Sequence, residues 1–132
     1  MFTQIVIGYI PTPEGLAALD TAIELAKEGG AHLTVVNTGR DGNYADPTFA
    51  SAKDIDHIDL QLANADIPHD VRQPTTGKAA ADEILGTAAE VGADLVVIGV
   101  RRRSPVGKLV TGSTAQQVLL DAPCSVLAVK AP

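Results

Sequence analysis

The stretch that decides the fold is residues 96–119, VVIGVRRRSPVGKLVTGSTAQQVL. It continues a run, ADLVVIGV (93–100), that is the most continuously apolar in the chain and reads as a strand buried on both faces. The run empties into Arg101, Arg102 and Arg103. At Gly112-Ser113-Thr114 a helical pattern begins in which Ala115, Val118, Leu119 and Ala122 share one face, and the final strand, CSVLAVK (124–130), follows it. Two strands joined through a helix need a crossover, which makes them parallel.

The same unit recurs toward the N-terminus. QIVIGYI (4–10) and AHLTVVNT (31–38) read as strands. Between them Leu16, Leu19, Ile23 and Ala26 recur at helical spacing, with Thr12 as N-cap, Pro13 at the first helical position and Gly29-Gly30 as the stop. GRDGNYADPTFA (39–50) carries loop signals and leads into a helix with Ile55, Ile58, Leu62 and Ala65 on one face. PHDVRQ (68–73) is a weaker third strand, and a third helix with Ala81, Ile84, Leu85, Ala88 and Val91 inward closes at Gly92. The pattern predicts one α/β domain over 1–132, a doubly wound, five-stranded parallel sheet with helices on both faces. In such sheets ligands sit beyond the carboxyl ends of strands, and the arginine run leaves one such end.

Composition narrows the function. The chain is 45 % apolar but has no Trp, two Phe and two Tyr, which suits small-residue helices on buried strands and not the stacking of nucleic-acid bases. A net charge of −6 repels nucleic acid and anionic membranes, so neither is an expected partner and the arginines must act locally. Cys124 stands alone, without an internal disulfide partner, and no apolar run has spanning length. The expected location is cytoplasmic.

Gly112-Ser113-Thr114 has two readings. Ser113 with Gln116 matches a capping box, which would make this simply a well-capped helix. Alternatively the unpaired N–H groups of the helix start, reached past a glycine, hold an anion, and Arg101 and Arg102 add donors matched to phosphate oxygens. Placement at the ligand edge of the sheet favours a phosphorylated ligand.

At these residues the chain resembles the universal stress proteins, whose signature is G, two residues, G, nine residues, then G-[S/T]. Gly99 opens the signature, Arg102 stands at its second glycine, and Gly112-Ser113 closes it. DAPCSVLAVK (121–130) is similar to the family's closing APCPVLVV, and the order of elements agrees along the whole chain. The resemblance implies a Rossmann-like fold with strand order 3-2-1-4-5 and, in the ATP-binding branch, a site at the end of strand 4 and the start of the last helix. It places Gly99 by the ribose, Gly112, Ser113 and Thr114 on the phosphates, Thr38 at the adenine and Thr12 near the adenosine. The family's strand-end Asp is replaced by Ile10, and Arg102 is bulky; Arg101 and Arg102 either grip phosphate in compensation or fill the site.

Other signals carry less. RQPTTGKAA (72–80) fails as a P-loop at Arg72 and Ala79. His32, His57 and His69 lack metal-ligand spacing and read as solvated or capping. Asp20, Glu24 and Glu28 form a solvated helix stripe, Cys124 behaves as a small hydrophobe, and no Ser/His/Asp set falls at one strand end. The expected protein is a stress-response regulator, not an enzyme, that binds ATP or another adenine nucleotide, with Mg²⁺ as ATP's companion. It is expected to dimerise through residues 124–130. A nucleotide-free homodimer is the alternative that Ile10 and Arg102 favour.

Overall fold

The computed structural model describes residues 2–38, 47, 49–101 and 112–132. Arg102, Arg103 and the residues up to Thr111 lie outside them, as does most of 39–48. The described residues form β1 (Gln4–Gly8), α1 (Pro13–Gly29), β2 (His32–Val36), α2 (Ala52–Asn64), β3 (His69–Arg72), α3 (Ala80–Val91), β4 (Leu95–Val100), α4 (Ser113–Asp121) and β5 (Ser125–Lys130). All four strand pairings are parallel, in the order β3-β2-β1-β4-β5, as the resemblance implies.

Burial follows from this layering. In β1, Ile5 and Ile7 turn toward α1 and α2 while Val6 turns toward α3 and α4, and all three are fully buried. Strand β4 divides in the same way, with Leu95 and Val97 on the first face and Val96, Ile98 and Val100 on the second. The unbroken apolar runs are therefore the mark of strands covered on both sides. From β1 the chain winds outward through β2 to β3, and then crosses back to place β4 on the other side of β1. The crevice beyond β1 and β4 is where the winding reverses.

Two leucines expected inside are exposed: Leu16 (50 %) and Leu119 (47 %). Near its start α1 lies against the ends of β1 and β4 almost backbone to backbone. A Cβ on Gly15 would lie 1.8 Å from the Ile10 carbonyl oxygen, and one on Gly99 2.5 Å from that of Glu14. A leucine does not fit beneath such a contact, so the buried stripe runs through Gly15, Ala18, Leu19, Ala22, Ile23 and Ala26. Helix α4 packs on α3 and β4, and Ala115 and Val118 are the residues it buries.

Away from the crevice, polar groups are closed by the protein itself. The Asp94 carboxylate accepts hydrogen bonds from the Thr3 and Gln4 amides (2.9 and 3.1 Å) and from the Thr3 hydroxyl (3.1 Å). Burial pushes its pKa up, but these bonds outweigh that and hold it below the usual carboxylate value. His69 is not solvated as expected. Its Nδ1 lies 2.7 Å from the Ile67 carbonyl oxygen and its Nε2 2.7 Å from Asp59. Burial lowers its pKa, and the bonds to Ile67 and Asp59 with the charges of Asp59 and Asp70 more than reverse this, leaving it raised.

Candidate functional site

A cavity of about 420 Å³ opens at the carboxyl ends of β1 and β4, within the range of about 300–1,000 Å³ typical of small-molecule sites. Its apolar wall comes from Val36, Ile84 and Ile98. Gly8 makes room for that wall, since a Cβ there would meet Ile84 Cδ1 at 2.5 Å. The starts of α3 (Ala79 to Ala81) and α4 (Gly112 to Ala115) also line it, as do Thr38, Glu14 and Arg101.

The helix starts differ in how their N–H groups are satisfied. At α1 the Thr12 hydroxyl accepts from Gly15 N at 3.1 Å. At α2 Ser51 and Asp54 form a reciprocal capping box, with bonds of 3.1 and 3.4 Å. At α3 the N-cap is Ala79 and at α4 it is Gly112, and neither helix has a side-chain cap bond. The capping-box reading of Ser113 is thus corrected. Ser113 is the first helical residue, one position too late for its hydroxyl to cap the turn.

Gly112 adopts φ −65° and ψ 163°, a conformation open to any residue, and a Cβ there would meet no described atom within 4 Å. Among the described residues nothing demands glycine at 112. Gly99 differs: its missing side chain makes room for the Glu14 backbone. Of the residues expected at the site, Thr38, Gly99, Arg101, Gly112, Ser113 and Thr114 line the cavity. Thr12 caps α1 and is not among the lining residues, and Arg102 lies outside the described residues.

Next to the lining residues Val36 and Thr38 stands Asn37, which is fully buried. Its Nδ2 donates to the Tyr9 carbonyl oxygen (2.8 Å), and its Oδ1 accepts from Ala50 N (2.8 Å) and Gln73 Nε2 (3.0 Å). Gln73 also donates to the Ala50 carbonyl oxygen at 2.9 Å. One amide thus ties the ends of β1, β2 and β3 to the approach to α2. Burial, and then the Asp54 carboxylate, raises the pKa of Tyr9, which stays a neutral phenol. On the far wall Gln117 Nε2 donates to Asp82 Oδ1 (3.2 Å), joining α4 to α3 beside the cavity.

The sequence reading missed Glu14, Ala79 to Ala81, Ile84 and Gln117 as lining residues. Glu14 follows a strand end and was open to discovery on that ground. An acid in a helix's first turn is already explained by the helix dipole, and three alanines carry no polar signal at all.

Fold and cavity together define a doubly wound α/β protein with its crevice at the point where the winding reverses. The universal stress protein family profile matches residues 1–130, and the chain belongs to that family. It is 41 % identical over 127 residues to a universal stress protein of Mycolicibacterium smegmatis, covering 96 % of this chain and 97 % of the relative. Among solved structures, a universal stress protein of Archaeoglobus fulgidus superposes with a TM-score of 0.78 at 27 % identity, covering 98 % of this chain and 100 % of that one. An A. fulgidus universal stress protein in complex with dAMP superposes with a TM-score of 0.71 at 25 % identity, covering 97 % and 98 %.

Proposed function

We propose that this protein binds an adenine nucleotide, ATP or AMP, in the cavity between β1 and β4, and serves a cytoplasmic stress response by binding rather than by turnover. The observation that carries this reading is the start of α4, without a side-chain cap bond, opening onto the cavity at a glycine whose Cβ position meets no described atom. Free N–H groups and the positive end of the helix dipole favour a phosphate there, and Arg101 adds a cationic donor. The apolar wall suits a base. The dAMP complex of the archaeal relative supports the same ligand class. Where the ligand is ATP, magnesium would arrive with it on its phosphates.

A nucleotide-free protein is the second reading, and one position favours it. Ile10 lines the cavity where binding members of the family have an aspartate. Calorimetric titration of nucleotide-stripped protein with ATP, AMP and cyclic AMP decides between the two: heat of binding with any of them supports the site, and none with all three supports the second reading. If phosphate is held by charge, Arg101→Ala with Arg102→Ala weakens binding about tenfold or more and flattens its salt dependence.

Both readings include a homodimer through the closing strand. β5 lies at the sheet edge, pairs with β4 on its inner side, and exposes Leu127 (37 %), with Val126 and Val129 half-buried. Lys130 is its one charge, so little discourages edge pairing with a two-fold related copy. Light scattering at micromolar concentration gives a dimer mass if this is right. Leu127→Pro, which removes a ladder donor, then gives a monomer.

A further inference from the structure

We propose that Glu14 selects the sugar of the bound nucleotide, its carboxylate accepting hydrogen bonds from the 2′ and 3′ hydroxyls of ribose; this rests on the nucleotide reading above. Glu14 is the one acid and Arg101 the one base among the described residues lining the cavity. Glu14 is half-buried in the first turn of α1, and its carboxylate has no hydrogen bond or ion pair with any described residue.

A carboxylate in a cavity built to receive an anion does nothing for the phosphate except repel it. The ligand group it suits is one that donates, and on an adenine nucleotide the donors are the ribose hydroxyls and the exocyclic amine. Position chooses between them. Along β4 the order is Ile98 in the apolar wall, then Gly99, then Arg101 just past the strand, a span of roughly 10 Å at about 3.3 Å per residue. With the base on Ile98 and the phosphate near Arg101, the sugar lies over Gly99. The Glu14 backbone abuts Gly99, close enough that a single Cβ there would strike it. That contact lies on the α1 side of β4, opposite Ile98, and Glu14 also lines the cavity, where its two oxygens match two neighbouring hydroxyls.

Charge-assisted bonds of this kind are the strong ones, and a site built to receive a hydroxyl rejects the analogue without it. The test is calorimetric affinity of the full chain, stripped of nucleotide, for AMP, 2′-deoxy-AMP, 3′-deoxy-AMP and IMP, measured for wild type, Glu14→Gln and Glu14→Ala. Wild type is expected to prefer AMP over each deoxy analogue by about tenfold or more. Glu14→Gln retains part of that preference through its amide oxygen. Glu14→Ala loses it while binding the deoxy analogues at least as well as wild type, because the repulsion of phosphate is gone. The AMP/IMP ratio stays unchanged throughout.

Equal wild-type affinity for AMP and its deoxy analogues overturns the assignment, as does a Glu14→Ala variant that keeps the preference. A uniform loss for all four ligands would mean a merely structural role, and a shift in the AMP/IMP ratio would mean that the carboxylate reads the base. Either of these also overturns it. A wild-type protein that binds none of the four removes both this inference and the nucleotide reading, whereas the other failures leave that reading standing.

Discussion

The helices of the described residues begin at the same end of a parallel sheet, yet α1 and α2 on one face close their own N-termini while α3 and α4 on the other leave theirs open. Thr12 and the Ser51–Asp54 box do for the first pair what Ala79 and Gly112 cannot do for the second. Stability alone would favour a cap at every helix, at about 1 kcal/mol each. Both uncapped starts line the cavity, and of the capped pair only α1 reaches it, through Glu14. The difference sets the two faces of the sheet apart: among the described residues the side-chain caps fall on one face, and the helix starts without them stand at the cavity on the other.

The comparison breaks most sharply at Gly112. In Gly112→Val the added branch enters space that no described atom occupies, so the fold persists at a cost of about 1 kcal/mol for a poor N-cap. Nucleotide affinity should fall at least about a hundredfold as the approach to the N–H groups is blocked. Thermal unfolding and titration of one preparation check both halves. Unchanged affinity in a folded variant would remove α4 from the site.

Next in size is the reverse experiment, giving α3 the cap it lacks. Ala79 already has extended backbone (φ −62°, ψ 150°), so Ala79→Asp should stabilise the protein by about 1 kcal/mol, seen as a higher Tm. If the open start serves the ligand, the new carboxylate lowers nucleotide affinity severalfold in the same variant. Thr12→Ala makes the matching control on the closed face. It should cost about 1 kcal/mol and leave affinity unchanged, since Thr12 caps α1 outside the cavity lining.

These features differ in how far the sequence disclosed them. Strand and helix order was legible because buried parallel strands make unbroken apolar runs, and Gly30 and Gly92 mark helix ends with the left-handed φ of 66° and 65° that glycine tolerates. Periodicity placed Leu16 with Leu19 and Ile23, but spacing reports which residues share a stripe and not how near the backbone comes to the sheet. Gly15 showed that nearness in the structure. Gly112 and Ser113 are both acceptable N-caps, so the register of α4 was ambiguous by one residue and both the capped and the open reading stood until the structure placed the cap at Gly112. Ala79 offered no cap signal, and that silence was itself the clue.

The smallest effect concerns His69 on the closed face. Its raised pKa means that its contribution to stability is complete below the unfolded value, about 6.5, and fades as pH rises through the folded value. Because the Asp59 side chain is 63 % exposed, the effect is a few tenths of a kcal/mol. Tm measured from pH 5 to 8 should fall slightly more in wild type than in Asp59→Asn. An identical slope would show that the pair does not carry the pH dependence.

The Asn37 amide also bears on how this chain tolerates change in length. By bonding Ala50 N at 2.8 Å and, through Gln73, the Ala50 carbonyl, it fastens residue 50 directly to the end of β2. The ends of the intervening segment are thereby held together by contacts that lie outside the segment. With its ends held in this way, the closure entropy of a longer segment adds about 0.6 kcal/mol for each doubling. A peptide tag or sensor module grafted between Thr38 and Phe49 should therefore leave the sheet registered and the melting transition single, making this junction the natural port for attaching a reporter close to the cavity.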